Sequence, residues 1–317
     1  MKGLYFDKRL TIKDDIPKPI PKEKEALIRV SLAGICATDI EMTRGYMDFQ
    51  GILGHEFVGR VEESTDARYK DARVVGEINC SCDDCEYCRN SLTHHCPNRS
   101  VLGIAKRDGA FAEYITLPEK NLHILPHSIS DQEAVFIEPL AAGFQVIEQA
   151  HLKPTYKVAL LGDGKLGLLI ALILRASCYD MVIFGKHTSK LSILEEQGIH
   201  TELTDQAPTE PFFDCVIEAT GSYDGLSKAL KMVKPRGTII LKTTVVHPIP
   251  VNTADIVVNE ITIIGSRCGP FYPAIHALQK KRINVLPLIT ATFPLERAQE
   301  AFDKAKEKNS IKVMLSI

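Results

Sequence analysis

The chain has 317 residues, a length that predicts about two domains, each large enough to bury an apolar core. Hydrophobic residues make up 45% and charged residues 25% of the chain, a composition that is typical of globular proteins and excludes disordered or collagen-like classes. The 38 basic residues nearly balance the 40 acidic residues, so the net charge of −2 gives no general attraction to nucleic acid or to anionic membranes.

The apolar segments are too short to span a membrane or to direct secretion. The longest, at 166–174, is far below the roughly 20 residues that a bilayer requires. Near the N-terminus, Lys2 and Asp7 interrupt the chain before a signal-like apolar stretch can develop. We therefore expect a cytoplasmic protein, in which clustered cysteines indicate metal binding before disulfides.

The first third of the chain is predicted to be rich in β-strands. Apolar segments separated by Pro, Gly and Asp predict strands at 26–30, 56–61, 73–78 and 111–117, with no long helix between them.

A different pattern begins near Asp131. After a predicted helix at 131–149, strands are predicted in alternation with helical segments, at 157–161, 181–184, 213–218, 237–241 and 261–265. This alternation predicts a parallel sheet with helices on both faces. Two further helices and a strand complete the chain, at 273–281, 295–306 and 311–315.

Four cysteines in one loop predict a structural zinc site: Cys82, Cys85, Cys88 and Cys96. Structural zinc takes four soft ligands in a closed tetrahedron, and these short spacings allow one loop to surround the ion. A ferredoxin-type cluster would require the fourth cysteine about three residues after the third, whereas the gap here is seven residues. Cys80 is a fifth nearby thiol without a predicted role.

A second set of metal-binding residue types is dispersed along the chain: Cys36, His55, Glu56 and Glu138. One thiolate, one imidazole and carboxylates suit a catalytic zinc that keeps a coordination position open for substrate. Each residue also has an ordinary interpretation, because Cys36 and His55 fit core positions and Glu138 fits a helix surface.

Residues 162–167 have the glycine pattern of a dinucleotide-binding turn. The segment follows an apolar strand and precedes a predicted helix. The first glycine permits the tight turn, the second lets the backbone approach a pyrophosphate, and the third lets the helix pack on the strand. A glycine-rich turn without a ligand is the alternative. The residues predicted to contact the dinucleotide here are Gly162, Gly164, Lys165, Leu166 and Gly167.

The end of the second strand of this unit indicates which dinucleotide is bound. That strand normally ends in an acidic residue that binds the adenosine ribose hydroxyls. Here it ends at Gly185, and Lys186, His187 and Lys190 follow. The carboxylate that would repel a 2′-phosphate is missing and cations are present, so the sequence predicts NADP in preference to NAD. The alternative is that the two lysines are solvated residues at the start of the next helix.

Together these motifs resemble the zinc-dependent medium-chain alcohol dehydrogenase superfamily, and within it the branch of sorbitol and threonine dehydrogenases. The resemblance covers essentially the whole chain, with the motifs in the family's order: Gly34-Ile35-Cys36, Gly54-His55-Glu56, the four cysteines, Glu138-Pro139-Leu140, the glycine turn and Glu218-Ala219-Thr220-Gly221. It implies an α/β protein in which a GroES-like β-rich catalytic domain carries an inserted Rossmann domain, a doubly wound parallel sheet. We expect the catalytic domain at 1–140 and 268–317, with a zinc lobe at 80–96, and the Rossmann domain at 141–267.

The resemblance also implies the composition of the catalytic zinc site. Cys36 and His55 would be zinc ligands, and Glu56 and Glu138 would complete the shell directly or through water. Asp39 would orient the ligand histidine.

Further roles follow from the same resemblance. Thr38 would begin the proton relay, Arg267 would lie near nicotinamide and substrate, and Lys312 would pair with Glu56 when that residue leaves the metal. Glu41 stands where many members have a relay histidine, so the proton's exit route is not predicted. The resemblance also implies cofactor contacts directly after the predicted strand at 213–218, from Ala219, Thr220 and Gly221.

The predicted function is hydride transfer between a secondary alcohol, preferably a polyol or sugar alcohol, and NAD(P), with two zinc ions per chain. The expected assembly is a homodimer or homotetramer, with no nucleic acid or membrane partner. Two alternatives are a non-catalytic regulatory protein that binds zinc and dinucleotide, and a zinc-free enone reductase of the same fold. The mixed charges of residues 80–107 disfavour the first alternative. The retained zinc-ligand residues disfavour the second.

Overall fold

The computed structural model describes residues 1–244 and 248–317, which form two compact units. The first unit contains Met1–Glu138 and Val285–Ile317, and the second contains Pro139–Asn284. The first boundary is two residues from the one predicted from the sequence. The second differs, because residues 268–284, which we expected in the catalytic domain, pack in the second unit. A Cβ atom at Gly269 would overlap the carbonyl oxygen of Ala141, so this segment lies directly against a helix of that unit.

Strands dominate the first third of the chain and alternate with helices afterwards, as the sequence predicts. In the described residues the strands are β1 (Gly3–Asp7), β2 (Arg9–Lys13), β3 (Glu25–Ile35), β4 (Gly51–Ile52), β5 (Glu56–Glu63), β6 (Arg73–Gly76), β7 (Asn79–Cys80), β8 (Ser100–Val101), β9 (Tyr114–Pro118), β10 (Leu122–Ile124), β11 (Lys157–Leu161), β12 (Asp180–Gly185), β13 (Thr201–Leu203), β14 (Phe213–Glu218), β15 (Val233–Leu241), β16 (Thr262–Gly265), β17 (Ile289–Pro294) and β18 (Lys312–Ser316).

The helices of the first third are short, as expected, and the longer helices follow residue 136. In the same described residues the α-helices are α1 (Ala37–Met42), α2 (Glu86–Arg89), α3 (Asp131–Ala134), α4 (Ile137–Ala150), α5 (Lys165–Ala176), α6 (Thr188–Glu195), α7 (Gly225–Met232), α8 (Thr253–Val258), α9 (Phe271–Gln279) and α10 (Ala298–Lys306). Among the helices of the described ranges, none has both the length and the apolar composition needed to cross a bilayer.

The single helix predicted at 131–149 is wrong, because the structure divides it into α3 and α4. Ser130 and Glu133 form a capping box that starts α3. The break at 135–136 follows from Pro139, which has no N–H to donate to the carbonyl of Val135 and whose ring would clash with that carbonyl in a continuous helix. Proline is tolerated in the first turn of a helix, where Pro139 lies in α4.

The main sheet of the first unit brings three distant parts of the chain together. Its strand order is β10-β6-β5-β3-β18-β17, and β9 also pairs with β3. In the register of these strands, Gly34 lies opposite both Glu56 of β5 and Met314 of β18. The end of β3, the start of β5 and the start of β18 therefore meet at one place, although they are far apart in the sequence.

The second unit is built around a six-stranded sheet whose described pairs are all parallel. Its order is β13-β12-β11-β14-β15-β16, so in order of appearance the strands run 3-2-1-4-5-6, the arrangement of a Rossmann fold. Leu161 lies opposite Phe184 on one side and Glu218 on the other. The segments that follow these three strands therefore emerge side by side at one edge of the sheet.

Candidate active site

The sheet register of the first unit gathers Cys36, His55 and Glu56. Cys36 directly follows β3, and Glu56 is the first residue of β5. One potential ligand atom from each of the three residues lies within 4.8 Å of the other two. His55 and Glu56 are buried, whereas Cys36 is half-buried. A thiol, an imidazole and a carboxylate at this separation form a donor set that suits zinc and leaves one side accessible.

Asp39 is fully buried and connects the segments that carry Cys36 and His55. Its Oδ2 accepts a hydrogen bond from the backbone N–H of Cys36 at 2.8 Å, and its Oδ1 accepts one from Gly54 at 3.2 Å. Oδ1 is also 3.3 Å from His55 Nδ1, although that nitrogen has no partner with hydrogen-bond geometry in the described residues. Burial lowers the pKa of His55, but Asp39 and Cys36 outweigh burial and raise it well above its ordinary value.

Glu56 and Lys312 form a buried ion pair, which the resemblance led us to expect. The Nζ of Lys312 donates to Glu56 Oε2, and the two residues are 2% and 1% exposed. The same ammonium lies 5.4 Å from the centroid of the Phe136 ring. Burial lowers the pKa of Lys312, but Glu56 and Cys36 outweigh that effect and raise it, with a further contribution from Glu138. The lysine therefore remains charged inside the unit.

Gly34 permits this ion pair, and the sequence analysis did not assign it this role. A Cβ atom at position 34 would lie 2.5 Å from Glu56 Oε2 and 2.6 Å from Val135 Cγ1. Position 34 therefore requires glycine because the neighbouring side chains approach the backbone closely. Its sequence signal was a glycine inside a strand, which often marks such an approach.

The other residues expected near the catalytic metal lie in different surroundings. Thr38 is half-buried, and its Oγ1 accepts a hydrogen bond from Cys36 Sγ at 3.7 Å. Glu138, the second residue of α4, is half-buried and lies outside the group of ligand atoms within 4.8 Å. Arg267 is exposed in the second unit, and its carbonyl accepts a hydrogen bond from Lys242 Nζ at 2.9 Å. Lys242 is buried, and the sequence analysis did not identify it.

The four cysteines of the predicted structural site form one cluster in the structure. The sulfur–sulfur distances are 3.4 Å for Cys85–Cys88, 3.5 Å for Cys82–Cys96, 3.7 Å for Cys85–Cys96 and 4.0 Å for Cys82–Cys88. A tetrahedron of sulfurs about 2.3 Å from zinc has edges of about 3.8 Å, so the cluster has the dimensions of a zinc site. Backbone N–H groups of Asp84 and Cys85 lower the pKa of Cys82 to about 6, which favours its thiolate.

Cys80 is separate from this cluster. It is buried, and its sulfur accepts a weak contact from Asn121 Nδ2 at 3.9 Å. Burial raises the pKa of this thiol, which favours its neutral form. All nine cysteines lie within the described residues, and the structure shows no disulfide among them.

The three glycines of the dinucleotide turn have different surroundings. Gly162 has a φ of 116°, and a Cβ there would lie 2.5 Å from the carbonyl oxygen of Ala219. A Cβ at Gly167 would overlap the carbonyl oxygen of Gly162. A Cβ at Gly164 would meet no atom within 4 Å. Contacts within the protein therefore require glycine at 162 and 167. Gly164 instead borders open space at the start of α5, whose first residues are Lys165 and Leu166.

The segment 219–221 is held beside this turn by two residues outside the predicted site. Buried Glu218 accepts hydrogen bonds on Oε1 from the backbone N–H of Thr220 at 2.8 Å and from its hydroxyl at 2.6 Å. The N–H of Gly221 donates to Thr243 Oγ1 at 2.9 Å. These bonds fix the loop that approaches Gly162 through Ala219.

The segment after β12 is bound by Asp163, a residue of the glycine turn that the sequence analysis left without a role. Its Oδ2 accepts hydrogen bonds from the backbone N–H groups of Lys186 and His187, at 2.8 and 2.6 Å. Lys186 is exposed, as expected for a solvated residue, whereas Lys190 is buried. The alternative that both lysines are solvated is therefore wrong for Lys190.

The fold, the two metal-binding clusters and the glycine turn together indicate the class of protein. A parallel sheet with the Rossmann order and a glycine turn shares one chain with a β-rich unit that carries a Cys-His-Glu cluster and a four-cysteine lobe. This combination is typical of alcohol dehydrogenases that use a nicotinamide dinucleotide. The family model described as "Alcohol dehydrogenase GroES-like domain" matches residues 22–127, and the model described as "Glucose dehydrogenase C-terminus" matches residues 132–317. The chain belongs to the zinc-type medium-chain alcohol dehydrogenase superfamily.

Known proteins agree with this assignment over nearly their full lengths. The chain is 28% identical to D-arabitol-phosphate dehydrogenase from Enterococcus avium, over 95% of this chain and 92% of that protein. It is 27% identical to sorbitol dehydrogenase from Halalkalibacterium halodurans, over 95% and 94%. A crystal structure described as a short chain alcohol dehydrogenase from Escherichia coli CFT073, complexed with NADH, matches with a TM-score of 0.92 and 26% identity, over 100% of this chain and 99% of that one.

Substitutions at two glycines of the turn should separate folding from cofactor binding. Gly164 has a φ of −71°, which alanine adopts readily, so Gly164→Ala should change the free energy of unfolding by less than about 0.5 kcal/mol. The same variant should bind NADH and NADPH at least about tenfold more weakly, because the new methyl group would fill the space that the glycine motif predicts for the pyrophosphate. Gly167→Ala should destabilise the fold by about 1–3 kcal/mol through overlap with Gly162.

Urea unfolding and fluorescence titration with both dinucleotides would measure these effects. Binding by Gly164→Ala with the wild-type dissociation constants would contradict this location of the pyrophosphate.

Proposed function

We propose that this alcohol oxidoreductase is a zinc-dependent dehydrogenase of secondary alcohols that prefers polyols or sugar alcohols and uses NADP in preference to NAD. The cluster of Cys36, His55 and Glu56 beside the buried ammonium of Lys312 carries the proposal. Its donor chemistry fits a catalytic zinc, and the four-cysteine cluster has the dimensions of a second, structural zinc site.

The residues proposed to hold the catalytic zinc are Cys36 and His55, with Glu56 and Glu138 bound directly or through water. A zinc ion there supplies Lewis acidity, which lowers the pKa of an alcohol to near neutrality. Asp39 Oδ1 lies 3.3 Å from Nδ1 of His55 and is proposed to orient this imidazole as a zinc ligand. Lys312 compensates the charge of Glu56 whenever this carboxylate is not at the metal.

Groups of this chain are proposed to move the proton of the substrate and to orient the dinucleotide for hydride transfer. Thr38 is proposed to begin a proton relay, in which its hydroxyl takes the proton of the substrate hydroxyl and releases its own proton towards solvent, because this half-buried group lies against the Cys36 sulfur. A bound nicotinamide dinucleotide would supply the acceptor for the hydride of the carbon that carries this hydroxyl. In the second unit, the open space at Gly164 and the fixed loop 219–221 are proposed to orient the dinucleotide for this transfer.

Two observations support a hydroxyl-rich substrate. Glu56 and Glu138 are charged hydrogen-bonding groups of the first unit, which suit substrates with several hydroxyls better than simple apolar alcohols. In addition, the two relatives described above are named for arabitol phosphate and sorbitol.

The proposed preference for NADP depends on the segment after β12. Gly185 has no side chain that could repel a 2′-phosphate, and the exposed ammonium of Lys186 makes no ion pair within residues 1–244 and 248–317. The relative of known structure that is complexed with NADH defines the alternative that must be tested.

A substrate panel tests the reaction and the cofactor together. Purified protein should oxidise at least one polyol or sugar alcohol in a panel that also contains simple secondary alcohols and amino alcohols, each assayed with NAD and NADP. We expect kcat/KM to be at least about tenfold higher with NADP, because the missing carboxylate removes repulsion of the 2′-phosphate. Activity with NAD alone would contradict the cofactor proposal. Enone reduction without alcohol oxidation, or binding of dinucleotide without any turnover, would contradict the reaction.

Cysteine variants and elemental analysis test the two zinc sites. The wild type should contain two zinc ions per chain. Cys36→Ser should retain one zinc ion and lose at least about a thousandfold in kcat/KM, because it removes a ligand of the ion that activates the alcohol. Cys82→Ser should also retain one zinc ion, but its main effect should be a lower Tm.

Cys178→Ser is the matched control, because Cys178 is exposed and lies outside both clusters. It should keep both zinc ions and full turnover. A Cys36→Ser protein with full turnover, or a Cys82→Ser protein with two zinc ions, would contradict the corresponding assignment.

The second unit also presents a surface for the expected self-association into a homodimer or homotetramer. Strand β16 lies at the edge of the six-stranded sheet, and Ile263 on this strand is 36% exposed. In the preceding helix, Val257 and Val258 are 73% and 78% exposed. An uncovered edge strand with adjacent apolar side chains is typical of an association surface.

Light scattering after size exclusion tests this proposal. The wild type should have twice or four times the chain mass of 35.1 kDa, and Val258→Glu should shift the mass towards that of one chain. Lys231→Glu, on the exposed side of α7, is the control and should leave the mass unchanged. A wild-type mass of 35.1 kDa would contradict self-association.

A further inference from the structure

We propose that Asp163 is a positioning residue that holds Lys186 and His187 in the arrangement that binds the 2′-phosphate of NADP. The inference rests on the proposed NADP preference and deepens it. It assigns a function to the acidic residue inside the glycine turn, which the motif itself leaves undefined.

Within the described residues, the hydrogen bonds of Asp163 all go to one short segment. The residue is 6% exposed, and its Oδ2 accepts bonds from the N–H of Lys186 at 2.8 Å, the N–H of His187 at 2.6 Å and the Nδ1 of His187 at 2.9 Å. Three donors on one oxygen bind the segment 186–187 tightly to the glycine turn. They also compensate the negative charge, so this carboxylate repels a nearby phosphate less than a free carboxylate would.

Asp163 also occupies the space at the end of β12. A Cβ atom at Gly185 would lie 2.7 Å from Asp163 Cβ and 2.8 Å from Asp163 Oδ2. It would also lie 2.7 Å from Leu191 Cδ2, so glycine at 185 leaves room for both Asp163 and Leu191. The acidic side chain that this strand end normally presents to the ribose is replaced by one that enters from the turn and bonds to the backbone of the next segment.

The bond from His187 Nδ1 determines how the imidazole is presented. A carboxylate acceptor keeps the hydrogen on Nδ1, and the opposite nitrogen, Nε2, then points away from Asp163. His187 is half-buried, so its ring has little freedom once this bond is made. Nε2 remains available for a second partner.

Lys186 completes the site beside this ring. Its backbone is fixed by Asp163, while its side chain is exposed. A phosphate monoester on the adenosine ribose would accept a hydrogen bond from the ammonium of Lys186. It would accept a second one from Nε2 of His187 in the imidazolium form, in which both ring nitrogens carry hydrogen. Without Asp163, the same groups would have to be ordered at the moment of binding, which weakens affinity.

The test is the binding of dinucleotides and their fragments to Asp163→Asn, measured by calorimetry on the full zinc-loaded chain. The variant should bind NADPH and 2′,5′-ADP at least about tenfold more weakly than the wild type, because one charged hydrogen-bond acceptor is lost. Binding of NADH and 5′-AMP should change by less than about threefold, because these ligands lack the 2′-phosphate.

A matched control and a spectroscopic measurement separate positioning from general effects. Asp180→Asn removes the same charge at the opposite end of β12, where the side chain is exposed, and should leave all four dissociation constants unchanged. Nitrogen NMR of labelled histidine should show His187 protonated at Nδ1 in the wild type, and this signature should be lost in Asp163→Asn. His187→Ala should also weaken the binding of NADPH and leave the binding of NADH unchanged. This variant keeps the test available if Asp163→Asn does not fold.

Three results would overturn the proposal. Stronger NADPH binding and weaker NADH binding by Asp163→Asn would show that Asp163 binds the ribose and repels the phosphate. An equal loss for all four ligands, together with a lower Tm, would show a purely structural role. Wild-type protein that does not bind 2′,5′-ADP would refute the phosphate site itself. If the wild type binds 2′,5′-ADP but prefers NADH, only the proposed NADP preference is wrong. The role of Asp163 is then decided by whether Asp163→Asn weakens the binding of 2′,5′-ADP more than that of 5′-AMP.

Discussion

A buried carboxylate needs a cation beside it, and this constraint organises the first unit. Removing Glu56 from water costs several kcal/mol unless the charge is compensated, and the compensating ammonium comes from Lys312, near the other end of the chain. The pair can form only when β18 has joined the sheet beside β3. The first unit therefore requires both ends of the chain, and the second unit occurs as an insertion between them.

The same charges suit the proposed metal site. Glu56 is paired with Lys312 and also has a carboxylate oxygen within 4.8 Å of the Cys36 and His55 donor atoms, so the carboxylate has a buried partner even without a metal ion. The second unit is organised differently, by backbone approaches at glycines and by carboxylates that bind loops. Asp163 and Glu218 each receive donors from one neighbouring segment, which fixes loops at the edge where a dinucleotide is bound in this fold.

The sequence predicts elements and motifs well, because periodicity and glycine spacing are local properties. The alternation of strands with helices after Asp131 and the cluster of four cysteines needed no knowledge of distant contacts, whereas strand β13 of the second unit was not predicted. Gly34 and Asp163 were missed because their roles depend on side chains brought close by sheet register, such as Glu56 opposite Gly34. The helix at 131–149 was predicted too long because its apolar pattern continues through the break that Pro139 imposes.

The most direct test of the account is anomalous diffraction from crystals of the protein, measured on both sides of the zinc absorption edge. The account predicts two anomalous peaks per chain. One should lie about 2.3 Å from the four sulfurs of the cysteine lobe, and the other should lie at bonding distance from Cys36 Sγ and the His55 ring. A single peak at the cysteine lobe, with none at Cys36 and His55, would contradict the claim that this buried charge cluster is a catalytic zinc site.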